Sequence, residues 1–354
     1  MKFIPKIICV AVIISIAALV LIQVPSVQDR LMASAIKMMG NVSNNLPKED
    51  ALTAVVCGSR SPIPSPGRAQ TCILVKADNK IFIVDIGDGS ANNLRSWNIP
   101  FNQINTVLLT HLHSDHISDL ADLHLATWIN EKRNEKLHVY GPEGVALVTK
   151  GFEKAYEPDY FFRNEHHGDE IAPLDVVGFK TTTVNLNNPV IYNEGGLKIT
   201  AFKVVHDPVK PALGYKFEYK GRSIVISGDT SYAKSVIENS KKVDVLFHEA
   251  QANHMVTGIE GMALNSGNEG LAKIMVDIKT YHTTPIEAAE IANLAEVRQL
   301  VFYHLTPAPR NYITEKIFTR GVDAVRKNWL LSEDGTMIIM PVGSDQIILD
   351  KIQN

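Results

Sequence analysis

Cysteine is scarce in this chain, with three among 354 residues. No two of them have the spacing of metal ligands, which argues against a zinc ribbon, and so few exclude a disulfide-built scaffold. A strong charge of either sign is missing too: 35 Lys and Arg oppose 38 Asp and Glu, leaving a net charge of −3. Nucleic-acid binders are ordinarily more basic. There is no internal repeat and no low-complexity tract, and 45% hydrophobic with 21% charged residues is globular composition, which excludes a disordered or collagenous protein.

The charge is unevenly spread. Through residue 37, Lys2, Lys6, Arg30 and Lys37 face Asp29 alone, so that segment carries +3 and the remainder −6. Within it, Ile7 to Val24 run without a charge as IICVAVIISIAALVLIQV. The length lies at the border between a signal-peptide core and a spanning helix. An uncleaved anchor is favoured, with Lys2 and Lys6 holding the N-terminus in the cytoplasm and the rest of the chain across the membrane. Cleavage near Val24-Pro25-Ser26 or at Ala33-Ser34-Ala35, and a buried core helix, are the alternatives. The expected organisation is a signal anchor or signal peptide over 1–24, a tether over 25–50 and a catalytic domain over 51–350, periplasmic or otherwise extracytoplasmic. Membrane contact runs through residues 7–24.

Cys9 lies in the apolar segment, leaving Cys57 and Cys72. They end one expected strand and begin the next, where a disulfide or two buried free thiols would both fit.

From Asp50 onward, short apolar runs recur: LTAVVCG, QTCILVKA, KIFIVDIGDG, NTVLLTHLH, SIVISGDT, VDVLFHEA and QLVFYHL. These read as buried strands, with helical stretches over Ser118–Trp128, Gly144–Tyr156 and Pro285–Glu296, an alternation that argues for a layered α/β fold. Thr284-Pro285-Ile286-Glu287 reads as a capping box with proline at the first helical position. Ala155 to Gly196, with Tyr156, Tyr160, Phe161 and Phe162, reads as an insertion over a site.

The densest chemistry is His111-Leu112-His113-Ser114-Asp115-His116, directly after the apolar strand Thr106–Thr110. Four potential metal ligands in six residues at a strand end suit imidazole and carboxylate coordination. His206, Asp229 and His304 follow three further strands, and strand C-terminal ends converge in layered α/β proteins.

HLHSDH with His206, Asp229 in SGDT and His304 in FYHL resembles the metallo-β-lactamase superfamily of metal-dependent hydrolases. Within it, CGSRSPIPSPGRAQ, LFHEA and YHTTPIEAAEIA resemble the ribonuclease Z and arylsulfatase-like branch, over roughly residues 51 to 345. The resemblance implies a four-layer αβ/βα sandwich, here preceded by one N-terminal transmembrane or signal helix, with metals at one edge between two sheets. It implies two Zn2+ per chain, with iron or manganese also accommodated. His111, His113 and His206 would hold one metal and Asp115, His116 and His304 the other. Asp229 would bridge them, and Asp85 would support the centre from behind. It also allows a homodimer.

Such an arrangement would hold a shared water as hydroxide near neutral pH, oriented by Asp115. His282, ahead of the capped helix, would protonate the leaving group, and His248 and Glu249 are candidates for a proton relay or brace. Ribonuclease Z cuts the 3′ trailer from precursor tRNA, whereas an acidic exported domain without a basic arm fits a small ester better. The expectation is therefore a hydrolase of a phosphodiester, aryl sulfate or lactone, with nucleic acid disfavoured. A ribonuclease Z-type endoribonuclease is the alternative, and a non-catalytic metal-binding envelope protein a second one.

Overall fold

The computed structural model describes residues 4–39, 46–130 and 133–352. It divides into two units, Met1–Asn44 and Asn45–Asn354. In the first unit, helices cover Ile4–Leu21 and Pro25–Met39. Proline disfavours helical backbone at the residue before it and favours the first helical position, so Pro25 separates the two. Much of the expected 25–50 tether is therefore helix. Among the described residues no single helix is long and apolar enough to cross a membrane, and Ile14–Leu21 with Pro25–Lys37, bent by 86°, pass that test only together.

The second unit holds two sheets. One comprises β1 (Ala51–Gly58), β2 (Cys72–Ala77), β3 (Lys80–Val84), β4 (Ile104–Leu108), β5 (Leu137–Gly141), β6 (Phe179–Thr183), β14 (Thr336–Pro341) and β15 (Ile348–Lys351), in the order β15-β14-β1-β2-β3-β4-β5-β6. The other comprises β7 (Val190–Glu194), β8 (Leu197–His206), β9 (Val209–Tyr219), β10 (Arg222–Ile226), β11 (Val245–Gln251), β12 (Gln299–Thr306) and β13 (Trp329–Leu331), in the order β13-β12-β11-β10-β9-β8-β7.

Side chains alternate across a strand, and both faces of these strands are apolar. In β1, Leu52, Ala54 and Val56 pack with Phe217, Phe247 and Tyr303 of the second sheet, while Ala51 and Val55 pack on the other side with Leu94 and Trp97. The second sheet likewise turns Val225, Leu246 and Phe302 outward against Ala288 and Ile291 of the helix Pro285–Leu294. Sheets buried on both faces need helices on both outer sides, which gives the layered αβ/βα arrangement. The expected capping box is present at Thr284 and Glu287.

Strands β3 to β6 are mutually parallel, as are β10 to β13. Their C-terminal ends lead into Asp85, His111, Asp229 and His304, at one edge of the sandwich.

One expectation changes and one open alternative is decided. Residues 155–196 are not an irregular insertion: the helix Val145–His167 runs through Pro158, and β6 and β7 then form the outer edges of the two sheets. The aromatics of that helix are divided: Tyr160 is buried with Trp128, Ala172 and Val176, while Phe161 and Phe162 are exposed. Cys57 and Cys72, left open between thiols and a disulfide, are bonded, with Cα atoms 4.9 Å apart.

Candidate metal centre

After β4 the chain crosses the sheet edge at Thr110 and turns into the short helix Ser114–Ile117. Asp85, at the end of β3 with φ 57°, fixes that crossing. Its carboxylate accepts from Thr110 N and Thr110 Oγ1, both at 2.8 Å, and from His116 Nδ1 at 2.8 Å. With Nδ1–H committed to Asp85, His116 presents Nε2 to the site. His206, at the end of β8, is held the same way, its Nδ1 donating to the Tyr281 carbonyl at 3.0 Å.

Asp229 follows β10 through Gly228, whose φ of 64° is left-handed. Its Oδ2 lies 3.3 Å from His304 Nε2, 3.4 Å from His116 Nε2, and 3.9 Å from both His111 Nε2 and His206 Nε2. His304 is the extra residue of a bulge in β12, where Glu249 pairs with Tyr303 and Ala250 with Leu305. Its φ is 44°, a conformation uncommon outside glycine, and the bulge aims its ring at Asp115 Oδ2, 3.2 Å away. His111 Nε2 and His113 Nδ1 are 2.9 Å apart.

The ligand atoms of His111, His113 and His206 lie within 4.8 Å of one another, as do those of Asp115, His116 and His304. Those of His111, His116 and Asp229 do so as well, which puts Asp229 between the two triads. Buried polar groups are normally hydrogen-bonded. Here His116 Nε2, His206 Nε2 and Asp229 Oδ1 are buried without a hydrogen-bond partner. Orphaned lone pairs converging from separate strands fit a cation, and a donor set of imidazole and carboxylate suits zinc, with iron or manganese compatible.

Protonation follows the same crowding. Burial pushes His111 well below the usual histidine range and His206 down to about 4. Burial alone would raise Asp229, but the imidazoles of His304 and His116 outweigh it and hold the carboxyl well below its ordinary value. The reverse holds at His116, where burial opposes and Asp229, Asp115 and Asp85 together raise the pKa well above normal.

His282 and Glu249 face the same centre. Glu249 Oε1 accepts from His282 Nδ1 at 2.9 Å and from the Thr230 and Thr283 amides at 3.1 and 3.2 Å. Burial, then the nearby Asp229, push the Glu249 carboxyl well above the carboxylate range. His248 is placed otherwise. Alternation along β11 turns it to the opposite face from Glu249, and its Nδ1 donates to the Glu249 carbonyl at 2.8 Å. His248 therefore faces away from the centre, whereas Glu249 hydrogen-bonds His282 beside it. Sequence reading missed Thr110, which sits beside the histidine motif, and the Tyr281 carbonyl, a backbone group that no residue pattern signals.

A family model described as a beta-lactamase superfamily domain matches residues 87–305. The chain is 32% identical over 259 residues to the ribonuclease Z of Mycobacterium bovis (strain BCG / Pasteur 1173P2), covering 73% of this chain and 87% of that one. It is 30% identical over 258 residues to the ribonuclease Z of Mycolicibacterium gilvum, covering 72% and 85%. Among solved structures, the metallo-β-lactamase fold protein YhfI of Bacillus subtilis superposes with a TM-score of 0.59 at 19% identity, over 82% of this chain and all of that one. The short form of human tRNase Z superposes with a TM-score of 0.56 at 20% identity, over 82% and 99%. None of these relatives is an arylsulfatase, so that half of the sequence resemblance gains no support.

Proposed function

Since this chain belongs to the beta-lactamase superfamily, as a homologue of ribonuclease Z, we propose that it is a dinuclear metal-dependent phosphodiesterase of the ribonuclease Z type that cleaves RNA. The observation that carries the proposal is the pair of facing triads, His111–His113–His206 and Asp115–His116–His304, with Asp229 between them. The preference for a small molecule over nucleic acid, drawn from acidic charge and a missing basic arm, yields to relatives of that name matched over most of their length.

Zinc ions bound there would supply a water of lowered pKa as nucleophile and Lewis-acid contacts to the phosphoryl oxygens. The chain's own residues do the rest. Asp85 and the Tyr281 carbonyl fix the tautomers of His116 and His206, so their Nε2 lone pairs stay aimed inward. Asp115 would also orient the attacking water's proton. His282 keeps its Nδ1 proton with Glu249, and its Nε2 would carry the proton passed to the leaving oxygen, although burial lowers the pKa of the ring.

Two observations favour a second reading. The Cys57–Cys72 disulfide suits an oxidising compartment, and the uncharged run over residues 7–24 behind Lys2 and Lys6 suits export. Both support an anchored extracytoplasmic hydrolase of a small phosphodiester or lactone. The test is the purified full chain assayed for metal content and for turnover of a precursor tRNA with a 3′ trailer, bis(p-nitrophenyl) phosphate and a lactone panel. Chelator-sensitive cleavage of the RNA with two metals per chain supports the first reading. Turnover confined to small esters supports the second, and two metals without any turnover would reject both.

A further inference from the structure

The segment between the two bonded cysteines hydrogen-bonds to the stretch that follows β3 in the first sheet and to β12 in the second. On one side, Leu305 N donates to Ser59 O at 2.9 Å and Ser61 N to Leu305 O at 3.3 Å. Leu305 directly follows His304, so these two bonds grip the bulge that turns His304 inward. On the other side, Gln70 N donates to Asp88 O at 2.8 Å and Gly87 N to Thr71 O at 3.0 Å, while Ile86 N donates to His116 O at 2.8 Å. Asp115 rests directly on this stretch: a Cβ at Gly87 would meet the Asp115 carbonyl at 2.1 Å. Through Leu305, and through residues 86–88, the segment is one step removed from His304 and from Asp115 and His116, which are the three residues of one triad. Among the described residues no hydrogen bond of the segment's backbone runs directly to any of the six ligands, and none of its partners adjoins His111, His113 or His206.

Its own closure is tight. Arg60 N donates to Ala69 O at 3.1 Å, Asp334 accepts from Ser59 N at 3.0 Å and Ala69 N at 2.6 Å, and the disulfide joins the ends over a separation of 15 residues. Cys57 and Cys72 are fully buried, Cys72 next to Thr71 and Cys57 next to Gly58, where a Cβ would meet the Gln70 carbonyl at 1.5 Å.

We propose that the Cys57–Cys72 disulfide is a positioning element for the Asp115–His116–His304 metal, holding those ligands from the two sheets in register while leaving the His111–His113–His206 metal unaffected. The inference rests on the dinuclear reading of the centre. Reduction by a phosphine would release the clamp: two electrons pass to the disulfide, the phosphine leaves as its oxide with oxygen from water, and the two protons of that water end on the sulfurs.

The experiment compares the full-length wild type with the Cys57→Ala/Cys72→Ala double variant, both loaded with zinc and desalted. The wild type is expected to hold two equivalents and, denatured, to show one reactive thiol, that of Cys9. The double variant is expected to keep its circular dichroism and hold one equivalent. Adding His304→Ala should then remove no further zinc, whereas adding His111→Ala should. A purely structural disulfide would lower the melting temperature yet leave two equivalents, and that result overturns the proposal, as do three reactive thiols in the denatured wild type. If the wild type itself holds fewer than two, the dinuclear reading is what fails. Should the double variant not fold, native wild type is treated with tris(2-carboxyethyl)phosphine. One zinc is expected to leave before ellipticity changes, and simultaneous loss of both zincs and ellipticity would overturn the inference.

Discussion

The Asp85 carboxylate sits 2.8 Å from His116 Nδ1 and 2.8 Å from the Thr110 amide, so one buried group sets both the direction of an imidazole and the path of the chain that carries it. Replacing it by asparagine keeps the shape but places an amide opposite three donors. Asp85→Asn is expected to lower zinc affinity by about 10 to 100-fold, the range for partners of metal-bound histidines. Competition against a chromogenic chelator measures it, and an unchanged affinity would show that His116 needs no such support.

Gly87 and Gly151 make a matched pair. A Cβ at Gly87 would collide with the Asp115 carbonyl, whereas one at Gly151, within the helix Val145–His167, meets nothing within 4 Å. Gly151→Ala should stabilise the fold by roughly 0.5–1 kcal/mol through helix propensity. Gly87→Ala should displace Asp115 and weaken metal binding. Thermal melts with and without zinc separate the two: the zinc-dependent rise in melting temperature is expected to persist in the first and shrink in the second.

His124 provides a pH test away from the metals. It is buried, accepts the Gly178 amide at Nε2 at 2.7 Å, and is pushed down to about 3 by burial and then by Arg133. The ring is neutral when folded and titrates near 6.5 when unfolded. Its contribution to stability is therefore present above pH 6.5 and lost as pH falls from there towards 3, to a limit of roughly 5 kcal/mol. Metal-free His124→Gln, whose amide oxygen can accept the same bond, is expected to show a shallower fall in stability than metal-free wild type between pH 6.5 and 4. Parallel curves would contradict the assignment.

The disulfide closes a loop whose entropy in the unfolded chain is worth about 3 kcal/mol at this length. Removing it should lower the stability of metal-free protein in urea by about that amount. A difference below ~0.5 kcal/mol would mean that the unfolded chain gains little freedom without it.

What could be read in advance follows from how local each signal is. Apolar runs such as KIFIV and QLVFY announce buried strands, and HLHSDH announces metal chemistry, because the residues that matter are adjacent. Thr284 and Glu287 were legible as a cap for the same reason. The bulge at His304 was not: it exists because β12 pairs one residue out of step with β11, and no pattern within either strand encodes that. The helix past Ala155 was hidden by Pro158 and by a polar run to His167 that looks like loop. The pairing of Cys57 with Cys72 stayed open because both alternatives bury sulfur between the same strands. His248 and Glu249 are neighbours in sequence and were read together, yet strand alternation sends them to opposite faces.

The central claim is a pair of metals flanking Asp229. Anomalous diffraction at the zinc edge, from crystals of zinc-loaded protein, tests it directly. The account predicts two peaks, one among His111, His113 and His206 and the other among Asp115, His116 and His304, with Asp229 reaching both. A single peak, or two peaks away from Asp229, would contradict it.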